Sequence, residues 1–279
     1  MKPAIIAKLK SELTPLFSNR EIQTLTSLIL EHVAGFSYTE IFAKDDFCFS
    51  NEQLTAIDQI IARLKAKEPI QYILGETDFL KLRFWVDERA LIPRPETEEL
   101  VSWIIESNEK ERPYILDIGT GCGCIAITLG QKIKGSRVSA FDIALEALHL
   151  AHKNAEANNV FINFYHINIL KQATWDETFD IIVSNPPYVR HSEKSAMDAT
   201  VLDYEPAIAL FVSDDDPLLF YRHIGLFAQK HLNENGQLFF EINQAFGKET
   251  VKLLKSQGFK TVELRKDLSG HDRFVKASK

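Results

Sequence analysis

Tyr114-Ile115-Leu116-Asp117-Ile118-Gly119-Thr120-Gly121-Cys122-Gly123-Cys124 is the stretch on which the fold turns. An apolar run short enough for a buried strand meets a cluster of glycines, and a helical stretch follows near 124–133. Glycine at such a turn lets the backbone bend tightly and approach a ligand without a Cβ in the way. Outward from this unit the same alternation recurs. Strands are expected at Tyr114–Asp117, Arg137–Asp142, Ile162–Ile167, Phe179–Ser184, Gln237–Ile242 and Lys260–Leu264. Helices are expected near 144–157, 217–231 and 246–256, and Arg273–Lys276 fits a last antiparallel strand. The alternation predicts an α/β fold: a doubly wound, mostly parallel, seven-stranded sheet with helices on both faces.

The chain before this region is different. Leu9, Leu13 and Leu16, then Ile22, Leu25, Leu28, Ile29 and Val33, lie at helical spacing. Ser50-Asn51-Glu52-Gln53 is a capping-box sequence ahead of Leu54, Ile57, Ile61 and Leu64. Residues 1–69 therefore read as a small helical bundle. Ile70–Gly75 and Leu82–Val86 read as two strands around a turn, so residues 70–93 are expected to form a β-hairpin linker. Pro93-Arg94-Pro95-Glu96-Thr97-Glu98 then opens a helix, with proline and carboxylates in its first turn. Residues 94–279 make the larger domain.

The Gly-rich turn has several readings. A dinucleotide-binding fingerprint needs Gly-x-Gly-x-x-Gly, with pyrophosphate at the helix N-terminus. Cys124 occupies the place of its third glycine, and the spacing is Gly-x-Gly-x-Gly. That favours an S-adenosylmethionine site, where no pyrophosphate has to be cradled. Asp142, at the end of the next strand, is placed to accept hydrogen bonds from ribose hydroxyls. Taken alone, the turn is also compatible with a tight connection that binds nothing.

Ser184-Asn185-Pro186-Pro187-Tyr188 follows the fourth strand of the alternation. Ligands in open parallel sheets bind at the carboxyl ends of the strands, where both motifs converge. An amide or exocyclic amine nitrogen is a poor nucleophile because its lone pair is delocalised. Accepting hydrogen bonds from both of its N–H groups holds it in place and favours localisation of that pair. The Asn185 side-chain carbonyl and the Pro186 backbone carbonyl supply two such acceptors. Pro186 and Pro187 stiffen the loop, so the geometry is preorganised. Tyr188 offers an aromatic face to a planar group or to a sulfonium.

These motifs, with Glu68–Gly75, Leu91–Glu98, Tyr204–Leu210 and Asp267–Arg273, resemble the peptide chain release factor glutamine methyltransferases, the PrmC/HemK family, over nearly the whole chain. The resemblance implies a class I methyltransferase-like fold with S-adenosyl-L-methionine as cofactor. It implies methylation of the side-chain amide nitrogen of the glutamine in a Gly-Gly-Gln loop of release factors. The cofactor contacts it implies are Asp117, Gly119, Thr120, Gly121, Cys122, Gly123, Asp142, Asn168, Ile169 and Asn185. Asn185, Pro186, Pro187 and Tyr188 would hold the glutamine, with Asn185, Pro186 and Tyr188 as the catalytic set. Residues 1–69 would help to dock the release factor. Two positions depart from the family pattern: Asn168 stands for the usual aspartate beside adenine, and Asn243 for a usual glycine.

The alternatives are an amino methyltransferase acting on a nucleic-acid base (adenine N6 or guanine N2) and a cofactor-binding protein without catalysis. A net charge of −7 over 279 residues, with 8 basic and 9 acidic side chains in residues 1–75, argues against phosphate-backbone binding. An intact amine clamp argues against a mere binding module. Hydrophobic residues at 45 % and charged residues at 25 % suit a soluble globular protein. No run approaches the roughly 20 apolar residues that span a bilayer, and Lys8, Lys10 and Glu12 interrupt any signal-peptide core. Cys48, Cys122 and Cys124 read as reduced thiols and no metal site is expected, so the location expected is the cytoplasm.

Overall fold

The computed structural model describes residues 2–44, 47–172 and 174–279, and these divide into two compact units. Met1, Asp45, Asp46 and Ala173 fall outside the description.

The first unit comprises residues up to Gly75 together with Ala199–Tyr204. Its helices are α1 (Lys2–Leu13), α2 (Asn19–Ala34), α3 (Tyr38–Ala43), α4 (Asn51–Lys65) and α5 (Ile70–Leu74). Ser18, Ser37 and Ser50 cap three of them through reciprocal bonds with Glu21, Glu40 and Gln53. Each box satisfies two orphan donors of a helix N-terminus. The helical stripes meet in one core, with Leu9, Leu13, Ile29, Ile57 and Leu64 almost fully buried.

One expectation needs correction here. Ile70–Gly75 is not a strand but the short helix α5, so the hairpin begins at Glu76 rather than Ile70. A short apolar run has no decisive period. Its tertiary surroundings decide: Ile73 joins the bundle core, with Ile70 and Leu74 packed against it. Gly75, with φ 75°, ends the helix in a left-handed turn whose N–H bonds Gln71 O at 2.8 Å.

In the second unit β1 (Glu76–Phe79) pairs antiparallel with β2 (Leu82–Trp85). Leu80 and Lys81 turn between them with φ 46° and 68°, the positive values a two-residue hairpin demands. Helix α6 (Pro95–Ser107) follows, and Glu98 on it accepts from the turn at Leu80 N, 2.8 Å.

Then come β3 (Tyr114–Ile118), α7 (Cys124–Lys132), β4 (Arg137–Asp142), α8 (Leu145–Ala157), β5 (Asn163–His166) and β6 (Phe179–Ser184). After two short strands, β7 (Val189–Arg190) and β8 (Phe211–Val212), and two short helices, α9 (Ala199–Tyr204, in the first unit) and α10 (Ala207–Leu210), the sheet resumes. Helix α11 (Leu219–His231), β9 (Leu232–Glu241), α12 (Gly247–Ser256), β10 (Thr261–Lys266) and β11 (Asp272–Ser278) complete the chain.

Among the described residues the main sheet has seven strands in the order β10-β11-β9-β6-β3-β4-β5. Strands β9, β6, β3, β4 and β5 run parallel, and β11 is antiparallel to both neighbours. Every residue of β6 is buried, as a central parallel strand with helices on both faces requires. From β3 the chain winds outward through β4 and β5, then returns to β6 on the other flank. The carboxyl ends of β3 and β6 therefore meet at the topological switch point. Ser184 Oγ closes that seam by donating to Ile118 O at 2.6 Å.

Candidate active site

Strand β3 delivers Asp117 wholly buried beneath the Gly-rich turn. Thr120 Oγ1 donates to Asp117 Oδ2 at 2.6 Å, while Asp117 Oδ1 has no protein partner. Burial raises this carboxyl to about 7, opposed by the Thr120 bond and reinforced by the charge of Asp142. Gly119, Gly121 and Gly123 all have positive φ. At Gly123, φ 86°, a Cβ would also stand 2.8 Å from Ile127 Cδ1, so glycine lets helix α7 pack against the turn. A Cβ at Gly119 would meet no protein atom within 4 Å, which leaves open space beside the backbone.

Asp142 ends β4 facing that turn. Its Oδ2 accepts from Gly121 N and its Oδ1 from Ala144 N, both at 2.8 Å. Burial nevertheless raises its carboxyl above the ordinary aspartate range. Each carboxylate oxygen keeps a further acceptor position. Asn168 Oδ1 accepts from Leu170 N at 3.0 Å and likewise retains a lone pair.

A cavity of about 280 Å³ opens over these groups. Gly119, Thr120, Gly121, Cys122, Asp142, Asn168, Ile169, Asn185, Pro186 and Pro187 all line it. Asp117, Gly123 and Tyr188 do not. Asp117 and Gly123 shape the turn from below. Tyr188 turns into the interior, where its hydroxyl donates to Glu241 Oε1 at 3.1 Å.

Several wall residues carry no functional signal of their own in the sequence. Ala90–Arg94 and Thr97 form one side, with Pro206, Ile208 and Ala209 further round. Glu205, its side chain buried, holds these segments together: Arg94 Nη2 pairs with Glu205 Oε1, and Ile92 N donates to Oε2 at 3.1 Å. Most of these residues fall in Leu91–Glu98 and Tyr204–Leu210, segments that carry the family resemblance, but neither composition nor spacing marks them as a cavity wall.

Asn185 leaves β6 with Nδ2 donating to Thr97 Oγ1 at 3.2 Å. Thr97 in turn donates to Glu241 Oε2 at 2.7 Å. Glu241 is buried at the end of β9, and burial pushes its carboxyl up against the pull of the Thr97 and Tyr188 hydroxyls and of Arg273. Asn243 braces the segment after Tyr188. Its Nδ2 donates to Tyr188 O at 3.1 Å and to Glu193 Oε2 at 3.2 Å, while its Oδ1 accepts from Ala245 N. A glycine there would make none of these side-chain bonds.

The cavity suits S-adenosylmethionine by its donor set. A glycine-lined backbone, a carboxylate at the end of β4, an amide at Asn168 and apolar Ile143 and Ile169 match an amino-acid nucleoside rather than a pyrophosphate. Among the described residues, no group of three His, Cys, Asp or Glu is arranged to hold a metal.

Comparison with known proteins agrees with this geometry. The Methyltransferase small domain family matches residues 97–203, and the PrmC N-terminal domain family matches residues 16–75. A "Release factor glutamine methyltransferase" of Flavobacterium psychrophilum is 48 % identical over 270 residues, covering 95 % of each chain. One so named from Bacteroides thetaiotaomicron is 40 % identical over 276 residues, 99 % of each chain. Among solved structures, a methyltransferase from Pyrococcus furiosus superposes with a TM-score of 0.55 at 19 % identity. It covers 83 % of this chain and 99 % of its own. A T. thermophilus 16S rRNA N2 G1207 methyltransferase, in complex with AdoMet and guanosine, gives 0.52 at 19 % identity, covering 73 % of this chain and 49 % of its own. Those two likenesses concern the fold.

Proposed function

We propose that this chain, which belongs to the release factor glutamine methyltransferase family, transfers a methyl group from S-adenosylmethionine to the side-chain amide nitrogen of a release-factor glutamine. The glutamine is that of the Gly-Gly-Gln loop. The observation that carries the reading is the convergence of Asn185 and the Gly-rich turn on one cavity at the β3/β6 switch point.

Bound S-adenosylmethionine supplies an electrophilic methyl on a positively charged sulfur. Asp142 would hold the ribose by accepting from its hydroxyls, and Gly119–Cys122 would let the backbone approach the cofactor. Asn168 Oδ1, with a lone pair to spare, would accept from the adenine amino group, and Ile169 would supply apolar wall beside it. Asn185 Oδ1 and the Pro186 carbonyl accept from the two N–H groups of the glutamine side chain and hold its nitrogen in line. Preorganised acceptors act without reorganisation, and positioning provides most of the acceleration. No strong base is needed beforehand, since the nitrogen becomes acidic as it is methylated. Tyr188 contributes from below, by fixing the loop through Glu241.

Docking of the release factor on the helical bundle of residues 1–69, and work in the cytoplasm, belong to the same proposal. The described helices include none long and apolar enough to cross a membrane. No nucleic-acid contact is invoked, in keeping with the net charge of −7.

The test is methyl transfer from labelled cofactor to purified release factor, with DNA and ribosomes as competing substrates and the product mapped by mass spectrometry. Label on the Gly-Gly-Gln glutamine is expected. Label confined to a nucleic-acid base would overturn the reading.

A further inference from the structure

We infer that Thr97 and Glu241 are positioning residues that decide which end of the Asn185 amide faces the substrate; the inference rests on the clamp reading of Asn185 above.

An asparagine side chain is nearly symmetric in shape, and rotating it by half a turn exchanges a donor for an acceptor. A clamp for an NH2 group works only with the carbonyl oxygen outward. Nothing in the Asn185-Pro186-Pro187-Tyr188 loop itself enforces that choice. The surroundings do. Glu241, 1 % exposed, accepts from two hydroxyls: Thr97 Oγ1 on Oε2 at 2.7 Å and Tyr188 on Oε1 at 3.1 Å. A hydroxyl carries a single hydrogen, so with Glu241 ionised, as two donated hydroxyls and the charge of Arg273 favour, Thr97 spends its own on the carboxylate. Thr97, itself 3 % exposed, therefore meets Asn185 only as an acceptor, so the amide NH2 must face it, across a separation of 3.2 Å. Asn185 Oδ1 is left on the opposite side, with no bond to any described protein group. With the amide reversed, two oxygens would face each other without a hydrogen between them, a costly arrangement in a buried site.

The same carboxylate holds both ends of the motif, Asn185 through Thr97 and Tyr188 directly. The three elements that meet there, α6, the loop after β6 and the end of β9, come from distant parts of the chain. Glu241 does not line the cavity, and the Thr97 hydroxyl lies between Glu241 and Asn185, bonded to both. Thr97 and Glu241 act through Asn185.

The experiment compares wild type with Thr97→Val, Thr97→Ser and Glu241→Gln in the full chain. Valine keeps the shape of threonine and removes the relay; serine keeps the hydroxyl. With Thr97→Val, kcat on release factor should fall about tenfold to a hundredfold, with KM and cofactor affinity within about twofold. Thr97→Ser should recover most of the loss. In Glu241→Gln the amide can donate to Thr97, which frees the Thr97 hydrogen to face Asn185, so kcat should fall there too. Nuclear magnetic resonance of the Asn185 side-chain NH2 gives a readout that needs no substrate. One of its hydrogens should be protected from exchange in wild type and unprotected in Thr97→Val. Wild-type turnover in Thr97→Val, or a serine variant as impaired as valine, overturns the inference. Should Thr97→Val fail to fold, an unprotected Asn185 amide in the wild-type chain overturns it equally. A wild type that leaves the release-factor glutamine unmodified defeats the functional reading instead, and the resonance measurement still decides the orientation.

Discussion

Asp142 Oδ2 accepts the Gly121 N–H at 2.8 Å, so the carboxylate at the end of one strand fastens the Gly-rich turn that follows its neighbour. One side chain thus both shapes the cofactor cradle and presents acceptors to it.

Replacing Asp142 by alanine should weaken S-adenosylmethionine binding at least tenfold, because hydrogen bonds to a charged group contribute about 1.5–3 kcal/mol each. Titration calorimetry on the folded variant checks this. Unchanged affinity would remove Asp142 from the cofactor site.

Asn185→Ala deletes one of the two acceptors proposed for the target NH2 and leaves the Gly-rich turn intact. Turnover should drop roughly 10²–10³-fold while cofactor affinity changes much less. Asn185→Asp should fall between alanine and wild type, since a carboxylate also accepts. Single-turnover rates and cofactor titrations separate the cases: a variant that fails only in binding cofactor would make Asn185 a cofactor ligand instead.

Asp117, raised by burial to about 7, adds a pH dependence of definite sign. An unfolded aspartate titrates near ~3.9, so between about 4 and 7 the folded protein binds the extra proton. Stability contributed by this group is therefore present at low pH and lost as pH rises through 7, by at most about 1.4 kcal/mol per pH unit. Asp117→Asn removes the titration while its side-chain oxygen can still accept from Thr120. In cofactor-free protein, the stability of Asp117→Asn relative to wild type should grow from pH 5 to pH 8 and then level off. Urea unfolding at both pH values is the measurement, and an equal difference at the two would contradict the assignment.

Glu205→Ala leaves the Arg94 guanidinium and the Ile92 N–H without their shared partner. A loss of about 2–4 kcal/mol is expected, below that for a wholly buried pair because Arg94 reaches solvent. Both stranded groups line the cavity, so cofactor affinity should fall as well. Denaturant titration that finds less than about 0.5 kcal/mol would show that the pair only decorates the surface.

Local order was legible because local order is what periodicity records. The strand and helix stretches from Tyr114 onward, the capping box at Ser50–Gln53 and the left-handed glycines of the turn follow from neighbours a few residues apart. The run Ile70–Leu74 shows where that information ends, since its five residues suit a strand or a helix equally until Ile73 finds the bundle core. What only the tertiary structure decided is which distant residues meet. Thr97 and Glu241 lie 144 positions apart, and Arg94 and Glu205 lie 111 apart. In the sequence Glu241 is one carboxylate at a strand end and Thr97 one hydroxyl in a helix's first turn. Their partnership, and with it the fate of Tyr188, depends on β6 lying beside both β3 and β9 in the sheet, an order set by packing that no spacing along the chain expresses.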